Sequence, residues 1–230
     1  MVIFVPIVNK IDKRPYYMKL SGSCLKTGTE KREELANAIT HGIGAGLAVT
    51  AFVVLVMYSD NGNKLGFSIY GFTLVLLYLA STLYHSITHV KIKNFFRKLD
   101  HIAIFLLIAG TYTPFCLTAL QGWLSWTLLG IVWGCALIGI ILKCLCIGRS
   151  EWLSLLIYIL TGWMVIIAIK PIYYFLSLPG FIFLILGGMA YTIGTFFYMN
   201  NKIMYNHSIW HLFVLAGSSL HFFSIMSLTA

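Results

Sequence analysis

Seven long apolar stretches separated by short polar breaks make up most of the chain: His41–Tyr58, Leu65–Tyr84, Ile102–Leu120, Trp123–Leu142, Trp152–Ile169, Phe181–Met199 and Ser208–Leu228. None of them contains Asp, Glu, Lys or Arg. Each approaches the ~20 residues that a helix needs to cross about 30 Å of hydrocarbon. Transmembrane strands alternate apolar and polar positions, whereas these runs are apolar on every face, so helices are predicted. The breaks hold turn residues: Ser59-Asp60-Asn61-Gly62-Asn63, Gln121-Gly122 and Leu178-Pro179-Gly180. Lys170-Pro171 is expected to end the fifth helix, because proline lacks an N–H and its ring clashes with the preceding turn. The pattern predicts an all-α integral membrane protein, a seven-helix bundle over 33–230 preceded by a basic segment, 1–32.

Composition agrees. Of 230 residues, 59% are apolar and 10% charged, against about 25% charged in soluble domains. A soluble enzyme, a disordered tail and a coiled coil are excluded. The net charge of +9 would suggest nucleic acid in a soluble protein, so its distribution matters. Fourteen of the sixteen basic residues fall on one side of the predicted topology. They are Lys10, Lys13, Arg14, Lys19, Lys26, Lys31 and Arg32 before the first span; Lys91, Lys93, Arg97 and Lys98 in the second-to-third loop; Lys143 and Arg149; and Lys202. Only Lys64 and Lys170 lie opposite. Basic loops remain cytoplasmic, which predicts a cytoplasmic N-terminus and an external C-terminus; the plasma membrane is the expected location. The charge distribution removes nucleic acid as the reason for the charge.

Met1–Val8 is apolar but too short for a span, and it lacks the basic n-region of a signal peptide. Met18 offers a second possible start. Cys24, Cys116, Cys135, Cys144 and Cys146 fall mostly in helices or on the reducing side, so no disulfide framework follows. Cys144-x-Cys146 is read as an inert pair at a helix end in preference to a metal or palmitate site.

The histidines equal the acidic residues in number, seven of each, and six of them lie toward one leaflet. His207-x-x-x-His211 puts two imidazoles one turn apart on one helical face, a spacing that suits zinc. Catalytic zinc takes three protein ligands and leaves one position for water. His85 can supply the third, although His89, at i+4 from it, is not separated by spacing alone. A carboxylate at the membrane boundary is costly unless paired or functional. Asp100 beside zinc-bound water could hold it or accept its proton, pair with Lys98 or a helix N-terminus, or act as a fourth ligand. Ser81, one turn before His85, can hydrogen-bond the water or a substrate carbonyl. His41, His89 and His101 read as interfacial polar residues, and His221 lies about 15 Å further along its helix from His211.

Glu34-x-x-Asn37-x-x-Thr40-His41-Gly42, Ser81-x-x-x-His85, Leu99-Asp100-His101, Gly110-Thr111-Tyr112-Thr113-Pro114 and His207-x-x-x-His211 stand in order along the chain. In these motifs it resembles the hemolysin III proteins of the progestin and adiponectin receptor superfamily over roughly 33–230. The resemblance implies a seven-helix bundle with zinc toward the cytoplasmic side, held by His85, His207 and His211, with Asp100 and Ser81 beside the metal-bound water. It selects His85 over His89. Glu34, Asn37, Thr40 and His41 form one helical stripe, which either caps the site from below or is a hydrogen-bonded helix start.

Two classes of function follow. One is a zinc-dependent intramembrane hydrolase of lipid amides or esters; superfamily relatives resemble ceramide-type amidases, which implies membrane lipids, such as a ceramide-like acyl lipid, as substrate. The other is non-enzymatic: a lipid-responsive receptor-like protein with structural zinc, or a pore-forming cytolysin. The charge-free spans offer no ring of ionised side chains for a selectivity filter. A structural zinc usually has four protein ligands, and three are clearly supplied.

Overall fold

A computed structural model describes residues 28–145 and 151–229. The N-terminal basic residues through Lys26, the alternative start Met18, Cys24, Cys146 and Arg149 lie outside the described residues. The helices are α1 (Gly28–Tyr58), α2 (Lys64–Ser86), α3 (Val90–Pro114), α4 (Gly122–Leu145), α5 (Glu151–Gly162), α6 (Ile169–Phe175), α7 (Leu178–Met199) and α8 (Asn206–Met226). A π-turn, Phe115–Ala119, extends α3, and a 3-10 segment, Trp163–Ala168, joins α5 to α6. These form seven helical spans long and apolar enough to cross a membrane, and the described residues include no strand. The chain is an all-helical integral membrane protein.

Helices α2 and α3 are central. In their apolar windows 56% and 67% of residues are buried, against 22–33% in the other spans, whose remaining apolar side chains face outward as lipid requires. Phe67, Tyr70 and Tyr78 are enclosed on α2. Close approach depends on small residues, as is common between helices in membranes. A Cβ on Gly44 would stand 2.5 Å from the Tyr78 ring, and one on Gly217 would stand 2.8 Å from Tyr191.

The structure corrects the predicted boundaries in four places. α1 starts at Gly28 and runs 31 residues, so 28–32 belong to the same helix as the first span. Lys91, Lys93, Arg97 and Lys98 are helical rather than in a loop, because α3 begins at Val90. Asp100 therefore lies ten residues inside α3 rather than at its start. An apolar-run criterion registers only the hydrocarbon-crossing part of a helix and misses charged turns that project beyond it. Leu178-Pro179-Gly180 is the first turn of α7, capped by Ser177 Oγ, which accepts from the Gly180 N–H at 3.3 Å. Proline is tolerated there because the first N–H groups of a helix have no internal partner.

Pro171 does not end the fifth span. The α-helical ladder is interrupted ahead of it, and Pro171 falls in the first turn of α6, where its missing donor costs no helical bond. Tyr112 of α3 supports the interruption. Its hydroxyl stands 3.0 Å from the Thr161 carbonyl and 2.7 Å from that of Gly162, and it accepts from the Val165 N–H at 2.8 Å. One phenol thus serves backbone groups at the change from α to 3-10 geometry. Tyr112→Phe should destabilise the bundle by about 1–3 kcal/mol, seen as a thermal midpoint several degrees lower in detergent. An unchanged midpoint would mean that the break holds without the hydroxyl.

Candidate metal centre

The last turn of α2 and the first two turns of α8 meet at one end of the bundle. His85 occupies the final turn of α2, with Ser81 one turn deeper. His207 is the second residue of α8, and His211 follows one turn later. The approach to α8 is tightly shaped. Tyr205 adopts a left-handed conformation, φ 59°, just before the helix. Asn206 Nδ2 then donates to the carbonyls of Phe197 and Tyr198 at 3.2 and 3.3 Å, tying the start of α8 to the end of α7.

One ring nitrogen from each of His85, His207 and His211 lies within 4.8 Å of the others. The ring centroids are 5.1 Å apart for His85–His207, 5.1 Å for His85–His211 and 4.6 Å for His207–His211. This three-imidazole group could hold a metal ion. Asp100 is not a member of the group. His89, by contrast, is exposed at the start of α3, away from the group.

The surroundings aim the imidazoles. His85 Nδ1 bonds Glu34 Oε2 at 2.9 Å, and Lys93 Nζ donates to the same oxygen at 3.1 Å. With Nδ1–H engaged by a carboxylate, Nε2 keeps its lone pair. That pairing is how proteins fix the tautomer of a metal-binding histidine. On the second histidine, Thr40 Oγ1 stands 3.3 Å from His211 Nδ1. The single Thr40 hydroxyl proton faces the carbonyls of Ala36 and Asn37 at 2.9 and 3.0 Å, which leaves its oxygen to accept from Nδ1–H. The Nε2 atoms of His85 and His207 are both buried and have no hydrogen-bond partner. Two orphaned imidazole nitrogens side by side, each a lone-pair donor in the right tautomer, are a donor set that suits a metal ion.

Ser81 and Asp100 are buried near this group and line one cavity with His207 and His211. The Ser81 hydroxyl also lacks a partner. Asp100 is buried whereas Lys98 is exposed, so pairing with that lysine does not account for it. The cavity continues between α3, α5, α7 and α8, with walls that include Ile104, Ile108, Ile159, Trp163 and Val214. His101 contributes to the wall and accepts through its backbone carbonyl from Tyr158 at 2.9 Å. His221 lies farther along α8, with Nε2 3.2 Å from the Leu184 carbonyl.

One histidine is displaced from its expected setting. His41, read as an interfacial side chain, is only 4% exposed. It stacks on His211 with centroids 3.5 Å apart and meets the Tyr78 ring edge-on at 5.0 Å. Sequence reasoning also missed the Glu34–His85 pairing. The available signal was the stripe of Glu34, Asn37, Thr40 and His41, whose members all reach the histidine helices. Asn37 completes it by accepting at Oδ1 from Ser208 at 2.6 Å.

Comparison with known proteins now decides the family. Residues 29–222 match the family described as Haemolysin-III related. The chain belongs to the haemolysin-III family. It is 50% identical to Hemolysin-3 of Bacillus cereus over 199 residues, 85% of this chain and 91% of the relative. It is likewise 50% identical to the Hemolysin-3 homolog of Bacillus subtilis, covering 85% and 93%. A more distant similarity, 26% over 200 residues, links it to the human monocyte to macrophage differentiation factor, covering 84% and 83%. That relative belongs to the progestin and adiponectin receptor family.

The paired carboxylate makes a specific demand on this haemolysin-III member. Glu34→Gln keeps the size of the side chain but removes the charge that holds His85 Nδ1–H. Metal affinity, measured by competition with a chromogenic chelator, should fall about 10- to 100-fold. Equal affinity in the variant and the parent would show that Glu34 does not orient His85.

Proposed function

We propose that this protein is a zinc-dependent intramembrane hydrolase of acyl amides or esters of membrane lipids, with a ceramide-like amide as the favoured substrate class. The observation that carries the reading is that two of three convergent imidazoles, His207 and His211, line a largely apolar cavity together with a buried carboxylate, Asp100, and the Ser81 hydroxyl. His85, His207 and His211 would hold the ion. Bound zinc would supply Lewis acidity and bring the pKa of a water toward about 7. Asp100 would orient that water and accept its proton. The water oxygen would bond to the acyl carbon as the acyl C–N or C–O bond breaks, and the proton would pass to the departing amine or alcohol, leaving the fatty acid and the amine or alcohol as products. Ser81 would donate its hydroxyl hydrogen to the acyl oxygen. The apolar walls beyond them would receive the hydrocarbon chain, and they exclude water other than the reacting molecule.

Three protein ligands leave a coordination position open, which favours catalysis over a structural metal. The basic residues support an orientation in which this end of the bundle faces the cytoplasm. Lys31, Arg32, Lys91, Lys93, Arg97, Lys98, Lys143 and Lys202 lie toward it, while Lys64 and Lys170 lie toward the other end. The site would then meet lipids of the inner leaflet, in the plasma membrane.

The names of the bacterial relatives carry a different reading, cytolysis, and one experiment separates the two. Purified protein should contain one zinc per chain and release fatty acid from at least one member of a panel of acyl amides and esters that includes ceramide. His207→Ala should lose most of the zinc and reduce release at least a hundredfold. A zinc-free parent protein would sink the metal reading. Zinc without any hydrolysis would favour a receptor-like role, and vesicle leakage retained in His207→Ala would favour a metal-independent pore.

A further inference from the structure

The His41 imidazole has no part in the ligand group, yet it is held beside it. Its ring is pinned on two sides, by the stack on His211 and by the edge of Tyr78. Both of its nitrogens are buried and neither has a hydrogen-bond partner. In either tautomer an imidazole presents a donor on one nitrogen and an acceptor on the other, and leaving both unmade on a buried side chain is costly. Apolar packing alone does not explain the choice of residue, since a phenylalanine ring would fill the same slot without that cost. His41 lines the cavity together with Ser81 and Asp100. The unpartnered groups therefore include a hydroxyl and an imidazole from two different helices on one wall, next to His207 and His211.

We infer that His41 is a substrate-binding residue whose N–H donates a hydrogen bond to the acyl oxygen of the bound lipid, in addition to the donor offered by Ser81. The inference rests on the hydrolase reading for its chemistry, but the contact it specifies can be tested without turnover. A fatty-acid carboxylate presents the same acyl oxygens as the substrate. The group recognised is thus the carbonyl or carboxylate head of an acyl chain, with its tail along the apolar part of the cavity. The bond would add to substrate binding and would strengthen as the acyl oxygen gains negative charge. The ring is fixed by stacking before the substrate arrives, so little ordering cost accompanies the contact. The α1 stripe thereby acquires two kinds of member: Glu34 and Thr40 hold histidines, while His41 faces the reacting lipid.

Two substitutions separate a hydrogen-bonding role from a packing one. His41→Phe keeps a ring for the stack and removes both nitrogens; His41→Gln keeps an N–H and gives up the ring. Full-length protein, zinc-loaded and in detergent, is assayed first for zinc content and then for binding of palmitate by isothermal titration calorimetry. His41→Phe should retain one zinc per chain and bind palmitate about tenfold or more weakly, as loss of a hydrogen bond to a charged group predicts. His41→Gln should recover part of that loss. Palmitate binding equal to the parent in zinc-loaded His41→Phe would overturn the assignment. Loss of zinc from both variants would overturn it too, by making His41 a support of the ligand group. Should the parent bind palmitate but cleave no acyl amide or ester, the hydrolase reading fails while the contact made by His41 is still decided by the two affinities.

Discussion

A polar atom in the hydrocarbon region has no water to fall back on. Every N–H, hydroxyl and imidazole nitrogen there must be satisfied from within the chain or by something the chain binds. Most of this bundle obeys by local means. Tyr70 donates to the Ser218 carbonyl, while Tyr78 and Tyr191 reach the Ser218 hydroxyl at 3.0 and 2.7 Å. The Trp163 indole donates to Thr192, and that of Trp133 to Thr113. Thr111 and Thr113 return their hydroxyl hydrogens to carbonyls one turn earlier. Against that background the orphaned atoms of His41, Ser81, His85 and His207 stand out because they are concentrated. Thr118, His221 and Ser224 each leave one atom unpaired as well, but they are not gathered around a group of convergent ligand atoms. The cost of desolvation is what turns this concentration into a statement about function.

The same constraint explains how much could be read beforehand. Spans that must be apolar on all faces announce themselves, so the seven helices and the Ser59–Asn63 turn were legible. That turn closes as its composition suggests, with Asp60 Oδ1 accepting from the N–H groups of Gly62 and Asn63. The convergence of His85 with His207 and His211 was legible only through the family motifs, because His89 has the same spacing relation to His85 as His211 has to His207. Helical turns outside the apolar windows left no comparable trace. The second turn of α1 carries Glu34 and the first turn of α3 carries Lys93, and apolarity says nothing about where they point. Their meeting at His85 joins residues 51 and 59 positions apart along the chain from Glu34, a relation no local pattern encodes. His41 was misjudged for a related reason: sequence gives its depth from the helix end but not the neighbour that covers it.

Helix α1 supplies none of the three imidazoles, yet it governs how they are presented. Glu34 holds His85, Thr40 and the His41 ring hold His211, and Asn37 holds Ser208, the residue after His207. These contacts recur at the helical period along one face, so α1 meets α2 and α8 as a rigid bar rather than through independent side chains. The arrangement couples two processes. Seating α1 orients the histidines, and an ion drawing three imidazoles together would pull α2 and α8 against α1 through the same bonds. Binding free energy at such a site is also folding free energy. Lys93 adds α3 to the linkage, since its ammonium spans Glu34 and, at 2.7 Å, the Tyr84 carbonyl at the end of α2. Four helix ends that would repel or fray as separate polar termini are thus held in one network. Glu34 and Lys93, two of the chain's few charged groups, are thus placed where they fix the orientation of an imidazole of the three-histidine group.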